Sequence, residues 1–258
     1  MKKLCIVTPH HTSELTPVAE FGLRRLAATL GLKYDWFMVM PSQCDPAPIL
    51  AITPQPTILP FPDDLFVSKR SAQLLYMSPD FFDRFKDYEY ILLCELDAYI
   101  FHDRVEPFIQ GDYDYIGAPW LDREWLRLSN HWYARLPLHW IFREPVGNGG
   151  LSLWRVEVFR EASRRLQPLI RRIRWLSHDI FWSQIASKLG VRIRRPSARI
   201  AARFAVETQP AKCLAMNDGE LPLGVHAWDR YHWDYWKEKI PGVEAIYEEL
   251  ARKGIKPL

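Results

Sequence analysis

The chain opens on a continuous apolar run, Leu4-Cys5-Ile6-Val7, which stops at Thr8-Pro9-His10-His11. A short uninterrupted run bounded by a loop signal predicts a strand buried on both faces. From about Leu15 to Leu30 the apolar positions Val18, Phe21, Leu23, Leu26 and Leu30 recur near helical spacing, with Gly31 as the stop. Asp35–Met40 reads as a second buried strand, and a strand–helix–strand opening predicts a parallel α/β sheet. Pro41 to Pro62 is dense in proline and reads either as a linker or as a connection wrapped over the sheet edge. Ile49, Leu50, Ile52, Ile58, Leu59 and Phe61 favour the wrapped form. A helical stretch over about 68–85 then leads into Tyr88–Cys94, apolar enough for a central strand.

Beyond it the pattern shortens. It predicts an apolar run at Ala98–Phe101, a helical turn at Val105–Ile109 and a strand at Asp114–Gly117. Residues 120–142 are crowded with Trp, His and Arg and keep no period; they read as an acceptor-side loop, an interfacial contact or ordinary packing. Leu151–Leu153 reads as a strand, and Val156–Leu166 and His178–Leu189 as helices, the second ending at Gly190. A basic segment, 191–203, follows. The tail from Trp228 reads as helical, broken by Pro241-Gly242. No internal repeat or low-complexity tract is present.

Composition narrows the class. With 258 residues, 48% hydrophobic and 25% charged, the chain fits one large domain or two small, closely packed ones. A net charge of +3, without a recognisable binding module, argues against nucleic acid. Cys5, Cys44, Cys94 and Cys213 are far apart with no C-x-x-C, and Cys5 and Cys94 sit in strand runs as small hydrophobes, which predicts a reducing compartment. The apolar run at Leu4–Val7 is too short for a signal-peptide core, and no stretch reaches transmembrane length, so a cytoplasmic protein is expected. Arginines concentrate between Arg160 and Arg174 and between Arg192 and Arg203. They read as solvated faces or as attraction to an anionic membrane surface.

Four groups of residues carry candidate chemistry. Glu95-Leu96-Asp97 follows the central strand, and side chains two apart at a strand end point the same way. They would open into the crevice where α/β sheets bind ligands, although an acidic triplet after a strand also simply solvates a loop. In Gly147-Asn148-Gly149-Gly150 three glycines permit positive φ and close approach of backbone to a ligand, or a tight turn. Asp179, in His178-Asp179-Ile180-Phe181-Trp182, is placed as a helix-start carboxylate. His226 stands in Gly224-Val225-His226-Ala227-Trp228.

The segment Tyr90–Phe101 resembles the hydrophobic-D-x-D-hydrophobic element of GT-A-fold glycosyltransferases. Together with Tyr113–Trp120, Val146–Leu153 and Leu221–Trp228 it resembles one bacterial family of glycosyltransferase-like proteins linked to surface polysaccharide synthesis. The resemblance implies a single GT-A-like domain over 1–258, a mostly parallel mixed sheet flanked by helices. Residues 1–120 would form the nucleotide-binding half and 121–258 the acceptor-side half. It implies a metal-dependent transferase that moves a sugar from a nucleotide-sugar donor to a glycan or lipid-linked acceptor with inversion, the alternatives being a retaining transferase or a non-catalytic carbohydrate-binding protein on the same fold. Asp97 and His226 would hold Mn²⁺ or Mg²⁺, the latter residue favouring Mn²⁺. Glu95 would contact ribose or metal, and Gly149 and Gly150 would line the donor pocket. Asp179 would take the acceptor proton, His178 standing where the family often has Glu. By position in the fold, Thr8 and His10 would meet the nucleotide, and Lys69 and Arg70 would neutralise phosphate.

Overall fold

The structure is a computed structural model that describes residues 1–121, 144–173 and 176–252. Its frame is a six-stranded sheet in the order β3-β2-β1-β4-β7-β6. The strands are β1 (Lys2–Pro9), β2 (Asp35–Pro41), β3 (Thr57–Phe61), β4 (Tyr88–Cys94), β6 (Tyr115–Ile116) and β7 (Leu151–Arg155). The first four run parallel, and β7 enters antiparallel between β4 and β6. A smaller sheet, β5-β9-β8, is built from β5 (Ala98–Ile100), β8 (Ala205–Val206) and β9 (Gly224–His226).

The apolar runs become central strands because both of their faces are covered. Cys5, Val7, Ile91 and Leu93 face one core, shared with Phe81, Phe82, Phe159 and Trp182. The alternating Leu4, Ile6, Tyr90 and Leu92 face the other, with Leu23, Leu26 and Phe204. A third cluster, with Trp228, Trp236 and Val243, joins the small sheet to the C-terminal helices.

Several expectations are refined. The proline-rich segment is neither linker nor bare wrap: it contains the helix Ala47–Ile52 and the edge strand β3. The stretch 68–85 is two short helices, Lys69–Leu75 and Pro79–Asp83, because Ser78 caps a new helix on the Phe81 N–H with proline at its first position. Gly190 does close its helix in the left-handed conformation, φ 78°. Among the described residues no helix is long and apolar enough to cross a membrane.

Strands β2 and β3 lie to one side of β1, and β4 to the other. The chain order therefore reverses between β1 and β4, and a crevice opens at their carboxyl ends. The helix Pro17–Leu26 buttresses that point. A Cβ on Gly22 would lie 2.0 Å from the Leu96 carbonyl oxygen and 3.0 Å from that of Ala98. We expect Gly22→Ala to lower stability by about 1–3 kcal/mol, the usual cost of overpacking, measured by urea unfolding. Unchanged stability would mean that the helix is free to shift away from the turn that carries Glu95 and Asp97.

Candidate metal and donor site

Glu95, Leu96 and Asp97 form the tight turn from β4 into β5, closed by the Ala98 N–H on the Glu95 carbonyl at 3.0 Å. The small sheet brings His226 to the same place. Ala98 pairs with His226 across β5 and β9, and the Ala227 N–H donates to the Asp97 carbonyl at 3.1 Å. Ala227 accepts a left-handed φ of 52° at this bend. His226 Nε2 then lies 3.2 Å from Glu95 Oε2 and 3.3 Å from Asp97 Oδ1. One ligand atom from each of the three falls within 4.8 Å of the others.

Two carboxylates around one ring nitrogen demand positive charge at that point, either a proton on Nε2 or a cation among the three atoms. Burial alone would push the His226 imidazole down, but the Asp97, Glu207 and Glu95 carboxylates hold it well above its ordinary value. Burial would raise Asp97, yet His226 and Arg230 hold it well below the usual carboxylate range. Glu95 is likewise lowered, burial being outweighed by His226. The donor set suits a divalent cation: two hard oxygens and one imidazole fit Mn²⁺ or Mg²⁺. Asp97 Oδ1 is moreover buried with no hydrogen-bond donor on it.

On its other side His226 is held. Nδ1 lies 3.1 Å from Glu207 Oε1, and Glu207 accepts from Asn148 Nδ2 at 2.8 Å and from Trp120 Nε1 at 3.1 Å. Arg230 Nη2 donates to Asp97 Oδ2. Burial, with the Asp97 charge nearby, lifts the Asp229 carboxyl to about 6.

The glycines of the Gly-rich loop make room for side chains of the protein itself. None of the three takes positive φ. A Cβ on Gly150 would lie 2.1 Å from His226 Nε2, and one on Gly149 would lie 2.3 Å from His178 Nε2 and 3.0 Å from the Asp179 Cβ. The loop is a spacer threaded between these side chains, tied to β4 by the Glu95 N–H on the Gly150 carbonyl at 2.8 Å. Asp179 thus stands across the loop from His226. Its Oδ1 accepts from Ser177 Oγ at 2.6 Å and from the Ile180 N–H at 2.7 Å.

A cavity of about 430 Å³ occupies the crevice, lined by residues that include His10, His11, Phe66, Gln73, Glu95 and Asp97. The His11 and Phe66 rings lie 5.3 Å apart in it. Burial holds both His10 and His11 below the ordinary imidazole value. Gln73 is fixed by His178, whose backbone N–H donates to Gln73 Oε1 at 3.0 Å. Thr8 does not share this wall. It is fully buried, and its hydroxyl accepts from the Trp36 indole at 3.0 Å, because a position inside a doubly covered strand faces the core. Lys69 and Arg70 open the helix Lys69–Leu75, but their side chains lie outside the described residues. So does the stretch 122–143, which holds most of the Trp- and His-rich segment.

Glu207, Gln73, Arg230 and Asp229 are not foreseen from sequence as members of the site, and of the Gly-rich segment only the glycines, not Asn148, are read as functional. Two of these have a local signal: Arg230, a basic residue four beyond His226, and Asn148, inside the Gly-rich segment. The basic second half also reads differently. Arg160 and Arg164 pair with Asp83, Arg194 with Asp112 and Asp114, and Arg199 with Asp218. Arg165 and Arg195 donate to backbone carbonyls, and Arg203 to Asn217.

The fold is that of the GT-A glycosyltransferases. The galactosyltransferase LgtC, solved with donor and acceptor sugar analogues, matches with a TM-score of 0.54 at 12% identity, over 96% of this chain and 95% of its own. The bifunctional glycosyltransferase WbbM, solved without ligand, matches with a TM-score of 0.54 at 13% identity over 96% of this chain and 51% of its own, so this chain spans about half of WbbM. Likeness at these identities defines the fold alone. By sequence, the chain belongs to the family described as a protein of unknown function (DUF5672), which matches residues 55–226. No curated protein matches it.

Proposed function

We propose that this protein is a glycosyltransferase that moves a sugar from a nucleotide-sugar donor to a glycan or lipid-linked acceptor, with inversion. The observation that carries the reading is the convergence of Glu95, Asp97 and His226 beside the cavity at the reversal of strand order. Asp97 and His226 would hold Mn²⁺ or Mg²⁺, with Glu95 completing the donor set. When bound, the cation supplies charge stabilisation to the departing nucleoside diphosphate.

The remaining roles fall to this chain's own groups. His11 and Phe66 offer aromatic faces for the base, with His10 beside them. Arg230, already on Asp97, would set a second positive charge against the diphosphate, alongside Lys69 and Arg70. Gly149 and Gly150 keep the loop thin enough for His226 and Asp179 to approach it from two sides. Asp179 would receive the acceptor's proton as that hydroxyl attacks the anomeric carbon. The same arginine-rich half would make a peripheral contact with an anionic membrane surface. Of the described arginines in the second half, most are engaged by carboxylates or carbonyls; exposed Arg171, Arg172 and Arg192 are what remains to attract anionic lipid.

Titration calorimetry with a panel of nucleotide sugars, with and without Mn²⁺, tests the proposal. Metal-dependent binding of at least one donor is expected. Binding of free sugar alone, indifferent to nucleotide and metal, would favour a non-catalytic carbohydrate-binding protein. Phe66→Ala should weaken nucleotide binding about tenfold, since a base–aromatic stack is worth about 1–3 kcal/mol. Equal affinity in that variant would place the base elsewhere.

A further inference from the structure

We infer that Glu207 is a positioning residue for the metal centre: held by Trp120 and Asn148, it fixes the proton of His226 on Nδ1 and directs Nε2 at Glu95 and Asp97. The inference rests on the metal-binding reading above and assigns a task to residues that touch neither donor nor acceptor in it.

The argument follows donors that have only one possible direction. The Leu151 backbone N–H can only donate, and it meets Asn148 Oδ1 at 3.4 Å. That turns the Asn148 amide so that its NH₂ faces Glu207 Oε1, 2.8 Å away. The Trp120 indole N–H can also only donate, and it reaches Glu207 Oε2 at 3.1 Å. Both carboxylate oxygens are therefore acceptors. His226 Nδ1 sits 3.1 Å from Oε1 and 3.2 Å from the Asn148 amide nitrogen; that amide already donates to Oε1 at 2.8 Å, and a bare ring lone pair against a charged carboxylate is the costlier of the two clashes. The proton belongs to Nδ1.

With Nδ1 committed, the ring can neither flip nor exchange tautomers without leaving a buried carboxylate short of a donor. Nε2 is left facing the two acids at 3.2 and 3.3 Å. A carboxylate behind a liganding histidine sets both ring orientation and basicity in this way. The geometry also gives Asn148 its place within the Gly-rich segment. The glycines around it clear space for His226, His178 and Trp120, while the one residue with a functional side chain braces Glu207.

Glu207→Gln keeps the shape and removes the second acceptor. The expected result is a 10–100-fold loss of Mn²⁺ or Mg²⁺ affinity by calorimetry. The Nδ1–H signal of His226 in imidazole ¹H–¹⁵N spectra of the Mg²⁺-loaded protein should be lost or displaced. A role confined to packing would lower the melting temperature and leave both readouts as in wild type, which overturns the inference. Should the variant fail to fold, the wild-type spectrum decides alone: a bare Nδ1 with the proton on Nε2 overturns it. If wild type binds neither metal, the metal reading itself falls. If wild type binds and Glu207→Gln binds equally well, only the positioning role falls.

Discussion

Asp97→Asn is expected to abolish metal-dependent nucleotide binding and to reduce sugar transfer about 10²–10³-fold or more, the scale on which loss of one electrostatic stabiliser is felt in a buried site. The substitution preserves shape while removing the charge that faces both His226 and Arg230. Two consequences separate it from a simple folding defect. Nucleotide affinity should become indifferent to Mn²⁺, and donor binding in the absence of metal should persist through the His11 and Phe66 wall. Calorimetry on both proteins, with and without metal, reads this directly. Wild-type metal dependence in the variant would remove Asp97 from the proposed ligand set.

Asp179→Asn should act on the other half of the reaction. Transfer should fall about 10²–10⁴-fold, the usual contribution of a positioned base, while metal-dependent nucleotide affinity stays as in wild type. The amide oxygen of Asn can still accept from Ser177 Oγ and the Ile180 N–H, so the helix start keeps its support. Steady-state kinetics paired with the calorimetry used for Asp97 distinguish a lost base from a lost donor site. Full transfer activity in Asp179→Asn would end the assignment. NMR of the product's anomeric configuration against the donor's then tells inversion from retention.

What could be read from sequence tracks the range of the forces involved. Strands β1, β2 and β4 were legible because a strand covered on both faces must be apolar throughout. Strand β3 was not, since an edge strand tolerates prolines such as Pro60 and is hidden by them. Strands β8 and β9 are too short to show a period. The same holds for the site. Asp97 and His226 announce themselves through local motifs, and the pairing of β5 with β9 brings them together. Glu207 sits in an unremarkable run, Ala205-Val206-Glu207-Thr208, and gains its meaning from Trp120 and Asn148, which no local pattern connects to it. The glycines allow close approach, and what approaches them is side chains of the protein itself.

The pairing of β5 with β9 also bears on how the chain would acquire its site. Glu95 and Asp97 are followed at once by β5, whereas His226 arrives 131 residues after Glu95. Strand β7, from the second half, lies between β4 and β6 of the first. Neither half carries all three side chains, so occupancy of the proposed site would be thermodynamically linked to folding of the whole. A ligand at 100 times its Kd would add about 2.7 kcal/mol to global stability. A nascent chain would hold its two acids close together, mutually repelling, until β9 docked and delivered the imidazole.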